Sequence, residues 1–106
     1  MAAFPDEITA QECQTMIEYL SQNRIGYLIE AGTPDGTQIA HKHGWISDPF
    51  GTINTIGDAG IVFSPGGDYV LVVFLNHPQE LIWDQAANLI ADLSRAVYNY
   101  YNLPEQ

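Results

Sequence analysis

Apolar residues recur at helical spacing in two segments of the chain, one towards each end. The first segment follows Thr9 and Glu12, whose spacing allows the reciprocal side-chain and backbone hydrogen bonds of a capping box. The pattern predicts an amphipathic helix over 10–22 and a long second helix over roughly 79–101, opened by Pro78. The residues predicted to form the buried stripe of the second helix are Ile82, Ala86, Leu89, Ile90, Leu93, Val97 and Tyr101.

Three segments between these helices have the character of β-strands. A short helical turn within Arg24–Gly32 precedes them. The predicted strands are Gln38–Ile46, Asp58–Ser64 and Tyr69–Leu75, with a loop over Ser47–Gly57. The third strand is apolar without alternation, which is typical of a strand that is covered on both faces.

This order of elements predicts an α+β fold. A three-stranded antiparallel meander would pack with an N-terminal helix and a long C-terminal helix, as a single domain over residues 1–106. A chain of 106 residues with 46% hydrophobic residues can bury one core.

Charge and cysteine content exclude several classes of partner. Three basic residues stand against 13 acidic ones, so the formal net charge is 3 − 13 = −10. Nucleic acid and anionic membrane surfaces are therefore unsuitable partners, since both select Lys and Arg. Cys13 is the single cysteine, which excludes an internal disulfide and a CxxC motif. No apolar run is long enough for a membrane span, and Met1–Glu7 does not resemble a signal peptide. We therefore expect a soluble chain, and the sequence does not indicate its cellular compartment.

The densest cluster of polar residues lies in the first strand. Lys42 is the only lysine, and its strand neighbours on the same face are the small residues Ala40 and Gly44. This setting suits an anion that approaches the backbone closely, although composition alone favours a solubilising lysine at a sheet edge. His41 and His43 share one strand face, which is possible metal-ligand geometry, but spacing places no third and fourth ligand. No metal or cofactor is therefore predicted.

Searches for a nucleophile find none. None of the four serines lies in a Ser-x-x-Lys or Gly-x-Ser-x-Gly context. Cys13 lies on the apolar face of the first helix, which indicates a core residue rather than a reactive thiol.

These residues and their order resemble the C-terminal portion of the penicillin-recognising serine hydrolases, specifically the class A β-lactamase-like group. The resemblance covers nearly the whole chain, from Ile8 to Asn102. It is carried by these segments: the strand Ile39–Trp45, the strand Gly57–Phe63, the hairpin into Asp68–Val73 and the helix around Ile90–Tyr98.

The resemblance implies a substrate-binding site on the first strand. The family has a Lys-Thr/Ser-Gly box there, to which Lys42, His43 and Gly44 would correspond. The lysine would attract the substrate carboxylate, the glycine would let the substrate lie against the strand, and the backbone N–H of Trp45 would be one oxyanion-hole donor. His43 replaces the hydroxyl of the family box with a bulkier imidazole, which can still hydrogen-bond a carboxylate.

The catalytic motifs of the family are not found in this sequence. The family's Ser-x-x-Lys nucleophile, its Ser-Asp-Asn box and its deacylating glutamate are not found. The chain therefore looks like the C-terminal half of such an enzyme, usually an exported one, and we expect the isolated chain to be catalytically inactive. The alternatives are a non-enzymatic dimerisation or interaction domain and, less favoured, a small metal- or ligand-binding module built on His41 and His43.

The strand Tyr69–Leu75 is predicted to self-associate or to accept strands from a missing N-terminal half, because an apolar edge strand without charge or proline is a template for pairing.

Overall fold

The computed structural model describes residues 6–103, which form two helices and a three-stranded antiparallel sheet. The sheet order is the sequence order of its strands. The element bounds are α1 Ala10–Ser21, a 3-10 turn Glu30–Gly32, β1 Gln38–Ser47, β2 Ile53–Phe63, β3 Tyr69–Asn76 and α2 Trp83–Tyr101. The predicted α+β meander with a helix at each end is confirmed.

Helix α1 begins with the capping box that the sequence indicated. The Glu12 backbone N–H donates to Thr9 Oγ1 at 3.1 Å, and the Thr9 N–H donates to Glu12 Oε1 at 3.3 Å. Two orphan donors of the first turn are satisfied in this way. Cys13 is the buried residue of this helix, so its assignment to the core is confirmed.

Helix α2 packs on the core mainly through small residues, and several of its large apolar residues are exposed. Ile90 and Ser94 are fully buried, and the Ser94 hydroxyl donates to the Ile29 carbonyl oxygen at 2.8 Å. The alanines and this serine allow the helix to lie close to the segment that carries Ile29 and Gly32. The large residues beside this narrow face are displaced outwards, so the predicted stripe was wrong at Ile82, Leu89, Leu93 and Tyr101, which are 41–59% exposed.

Helix α2 also begins later than predicted, at Trp83 rather than just after Pro78. Two hydrogen bonds hold the preceding segment out of the helix. The Leu81 N–H donates to the Ile53 carbonyl oxygen on β2 at 2.8 Å, and the Gln79 N–H donates to Nδ1 of His77 at 3.0 Å. The first of these is a tertiary contact that ties the segment to the sheet, and local sequence pattern does not contain it.

Strand β2 begins five residues earlier than predicted, so part of the expected loop Ser47–Gly57 is strand. The connection is short because Asp48 closes it: its Oδ1 accepts the N–H groups of Phe50 and Thr52, both at 2.9 Å. Gly57 is a strand residue here rather than a turn residue. A Cβ at this position would collide with the ring of Phe74 on β3.

Strand β3 is covered on one face only, so the prediction that both faces are covered was wrong. Its inward residues Tyr69, Leu71, Val73 and Leu75 pack in or against the core. Its outward residues Val70, Val72 and Phe74 are 71%, 56% and 65% exposed. The physical reason is that α2 packs against the core-facing side, and within residues 6–103 no element covers the other side of β3.

No helix in this part of the chain is long and apolar enough to cross a membrane.

Candidate functional site

The residues expected to bind substrate lie on β1, which forms one edge of the sheet. Lys42 is exposed, and its ammonium donates to the carbonyl oxygen of its neighbour His43 at 3.2 Å. Among residues 6–103, no carboxylate lies within ion-pair distance of this ammonium. The side chain is thus a solvent-accessible positive charge that folds back along an edge strand.

Gly44 lies two residues further along the same edge, where the backbone is open. A Cβ at this position would meet no atom within 4 Å. Packing within the described chain therefore does not require a glycine here. Because glycine weakens a strand interior, an unhindered glycine marks a place where another group can approach the backbone.

His43 and Trp45 form an aromatic pair beside this open backbone. Their rings stack with centroids 5.7 Å apart and an interplanar angle of 24°. Trp45 in turn meets the ring of Trp83 edge-on at 5.6 Å, which links the strand to the start of α2. The imidazole of His43 is half-buried, and the stack on Trp45 holds one face of its ring.

Behind this strand lies a buried polar cluster centred on His41. Its Nδ1 is 3.0 Å from Oδ1 of Asp58, and its Nε2 is 2.7 Å from the carbonyl oxygen of Asn23. Both His41 and Asp58 are almost inaccessible to solvent, at 1% and 0% exposure. Asp58 Oδ2 also accepts the Ile29 N–H at 3.2 Å, and a carboxylate oxygen of Glu30 lies 3.7 Å from Nε2 of His41.

This environment favours the doubly protonated form of His41. Both ring nitrogens face acceptors, so the imidazolium satisfies them with two N–H donors. Burial alone would lower the pKa of His41, but the hydrogen bond and charge of Asp58, the carbonyl of Asn23 and the charge of Glu30 together raise it above its usual value. At a pH below this raised pKa, the cluster holds a buried charge pair between β1 and β2.

The geometry separates the two histidines that a metal-binding interpretation would join. Both nitrogens of His41 are engaged by Asp58 and Asn23, which leaves no lone pair for a cation. Within residues 6–103, no group of three or more His, Cys, Asp or Glu residues has metal-binding geometry. The structure thus gives no support to the alternative of a module built on His41 and His43.

Sequence reasoning missed the partners of this cluster. The sequence pattern identified Asp58 only as the first residue of the second strand, and Asn23 only as the residue that follows the first helix. A carboxylate within an otherwise apolar or small strand segment, followed by Ala59 and Gly60, is the signal that could have identified Asp58. The cluster draws on three separate elements, so spacing in the sequence could not join them.

The profile of the Beta-lactamase enzyme family matches residues 4–101. The chain belongs to this family. A β-lactamase from Bacillus licheniformis is 30% identical over 102 residues, which cover 95% of the present chain and 32% of that protein. The resemblance drawn from the elements between Ile8 and Asn102 is thereby confirmed at the level of the family.

Solved structures of β-lactamase-like proteins share the fold. A class A β-lactamase from Bacteroides cellulosilyticus superposes with a TM-score of 0.76 at 25% identity, covering 89% of this chain and 35% of that one. A mutant of PBP-A, solved as an acyl-enzyme complex with penicillin G, gives a TM-score of 0.71 at 26% identity, with 92% and 34% coverage. The chain thus spans about a third of the length of the β-lactamase relatives it matches.

Proposed function

We propose that the chain supplies the carboxylate-binding strand of a penicillin-recognising serine hydrolase site. The observation that carries the proposal is the exposed ammonium of Lys42 beside the open backbone at Gly44, on an edge strand of a β-lactamase family fold; none of the carboxylates in residues 6–103 lies within ion-pair distance of this ammonium. A carboxylate that binds Lys42 would place the rest of the ligand along the strand towards Trp45. In this role Lys42, His43 and Gly44 act as the family box, and the Trp45 N–H is one oxyanion-hole donor.

We further propose that the chain does not acylate by itself. Lys42 is the only lysine and Ile39 stands three residues before it, so the 106 residues contain no Ser-x-x-Lys. Of the four serines, Ser64 and Ser94 are buried, and the Ser94 hydroxyl donates to a backbone carbonyl. Without an activated nucleophile, an oxyanion hole has no attack to stabilise.

The test is a titration of the isotopically labelled chain with benzylpenicillin, read by backbone amide NMR and by intact-mass spectrometry. We expect millimolar, reversible perturbation of the Lys42–Trp45 amides, and no covalent adduct. Lys42→Gln should abolish the perturbation. Arg95→Gln, which removes another exposed positive charge, on α2, should leave it unchanged. Unchanged site amides in the wild type, or equal binding by Lys42→Gln, would overturn the binding proposal, and a penicilloyl adduct would overturn the proposed inactivity.

A second candidate function, dimerisation, is favoured by the surface of β3. Among residues 6–103 this strand pairs only with β2, so its outer edge carries unpaired backbone groups. The exposed side chains Val70, Val72 and Phe74 add an apolar surface beside that edge. Natural edge strands of this kind are normally blocked by charge, proline or a covering element.

We propose that a second copy of the chain pairs with β3, giving a continuous six-stranded sheet. Sedimentation or native mass spectrometry should show a dimer for the wild type and a monomer for Val72→Lys. The matched control is Leu89→Lys, which introduces the same charge at an exposed leucine of α2 and should remain dimeric. A monomeric wild type, or a Val72→Lys variant of unchanged mass in solution, would refute self-pairing.

A further inference from the structure

Asn23 lies between the end of α1 and the candidate site, and it contacts both histidines of β1. Its side-chain Nδ2 is 3.2 Å from the carbonyl oxygen of His41 and 3.3 Å from Nδ1 of His43. Its own backbone carbonyl accepts a hydrogen bond from Nε2 of His41 at 2.7 Å. The residue is therefore held in place by the buried cluster while its carboxamide reaches the half-buried site histidine.

These contacts determine which way the Asn23 carboxamide points. A carbonyl oxygen can only accept, so the group that faces the His41 carbonyl must be the NH₂ of Asn23 rather than its oxygen. The same nitrogen carries a second hydrogen, which is directed to Nδ1 of His43. That ring nitrogen must then accept, and it cannot carry a hydrogen of its own.

A histidine that accepts at Nδ1 is neutral and carries its hydrogen on Nε2. The charged groups around His43 favour the same form. Partial burial lowers its pKa, and the positive charges of Lys42 and His41 lower it further, while only the carboxylate of Asp58 opposes them. The stack on Trp45 fixes the plane of the ring in which the Nε2–H lies.

We propose that Asn23 is a positioning residue that holds His43 as the neutral Nε2–H tautomer, so that the site offers one cation, Lys42, and one neutral N–H donor. Because consecutive strand residues project from opposite faces, the two groups serve different parts of a ligand: Lys42 binds its carboxylate, and the Nε2–H of His43 donates to a separate acceptor. The carboxylate-binding part of the inference rests on the proposed function. The tautomer itself does not, because it is a property of the ligand-free chain.

The experiment is ¹⁵N-histidine NMR of the ligand-free chain, in which long-range ring correlations distinguish protonated from unprotonated nitrogens. His43 is assigned by comparison with a His43→Gln variant. We expect an unprotonated Nδ1 at pH 7 and a titration midpoint below about 6.5, the usual value for histidine. A protonated Nδ1 in the wild type overturns the inference.

Asn23→Asp reverses the polarity of the contact, because a carboxylate can only accept. We expect it to put a hydrogen on Nδ1 of His43 and to raise the titration midpoint by about one pH unit, within the range that folded proteins show. The control is Asn99→Asp, the same change on the exposed face of α2, which should leave the ring signals as in the wild type. An Asn23→Asp variant with the wild-type tautomer and midpoint would refute the positioning role.

The two proposals fail in different ways. If benzylpenicillin perturbs no site amide while His43 carries its hydrogen on Nε2, the proposed function fails and the role of Asn23 stands. If the ligand perturbs Lys42 while Nδ1 of His43 is protonated, the function stands and the role of Asn23 fails.

Discussion

The buried pair of His41 and Asp58 leads to the most demanding prediction about this fold. Asp58→Asn keeps the shape of the side chain but removes its charge. The asparagine has one oxygen for two donors, the Nδ1–H of His41 and the N–H of Ile29, which now lie 3.0–3.2 Å from separate carboxylate oxygens. With its oxygen towards the Ile29 N–H, the amide turns its NH₂ group to Nδ1 of His41, so the imidazolium must either keep its Nδ1–H against that donor or release the hydrogen and become neutral.

The expected cost follows from burial. At a pH at which His41 is charged in the folded wild type, removing its buried partner costs about 3–5 kcal/mol, because the imidazole must either keep an uncompensated charge or give up its proton. For a chain of this size, each kcal/mol lowers the melting temperature by about 4–8 °C, so the loss should be at least about 12 °C. The total stability of a domain is typically about 5–15 kcal/mol, so this substitution removes a large part of it.

The assay is urea denaturation followed by circular dichroism, at several pH values. Because the pKa of His41 is raised in the folded state, the pair stabilises the wild type fully below the unfolded-state value near 6.5, and this contribution is lost as the pH rises through the folded-state value. Asp58→Asn should remove that pH dependence together with the stability.

The matched control is Asp92→Asn. Asp92 also pairs with a cation, Arg95 at 3.4 Å, but both side chains are more than half exposed. Its loss should change the free energy of unfolding by less than about 0.5 kcal/mol. If Asp58→Asn costs no more than this control, or if its stability keeps the wild-type dependence on pH, the assignment of a buried charged pair is wrong.

Three further predictions use the same denaturation assay. Thr9→Ala should cost about 1 kcal/mol, because it removes the acceptor for the Glu12 N–H, and an unchanged midpoint would contradict the capping role. Ser94→Ala should cost about 1–3 kcal/mol, since the buried Ile29 carbonyl loses its donor, whereas a neutral result would mean that another donor replaces it. Leu89→Gln should change stability by less than about 0.5 kcal/mol, because this leucine is exposed, and a loss of 2 kcal/mol or more would restore it to the buried stripe.

The sequence contained most of the fold, because most of the fold is decided locally. The capping residues of α1 and the alternation of strand faces around Lys42 follow from spacing alone. The start of α2 does not, because the Leu81 N–H is used by Ile53 across the sheet rather than by the next helical turn. A local helical pattern cannot show that a tertiary hydrogen bond competes with it.

Only the exposed residues of the candidate site were predictable from the sequence; its buried residues were not. Lys42 and Gly44 lie on one short strand, so a motif could identify them. The cluster beneath them joins Asn23, His41 and Asp58, which are separated by 17 and 18 residues along the chain. Their association depends on the pairing of β1 with β2 and on the path of the chain after α1, neither of which a motif records.

The apolar run in β3 shows a different limit of sequence reasoning. The run indicated burial on both faces, yet α2 packs against only one of them in the described chain. An apolar outward face is costly to leave in water, at about 25 cal/mol for each Å². A run of apolar residues does not show whether a strand is buried by its own chain or by another chain. The prediction failed because it assumed that an element within residues 6–103 covers the second face of β3. The same apolar face that made the prediction wrong is therefore an argument that another chain, or another part of the protein, packs against the outward side of β3.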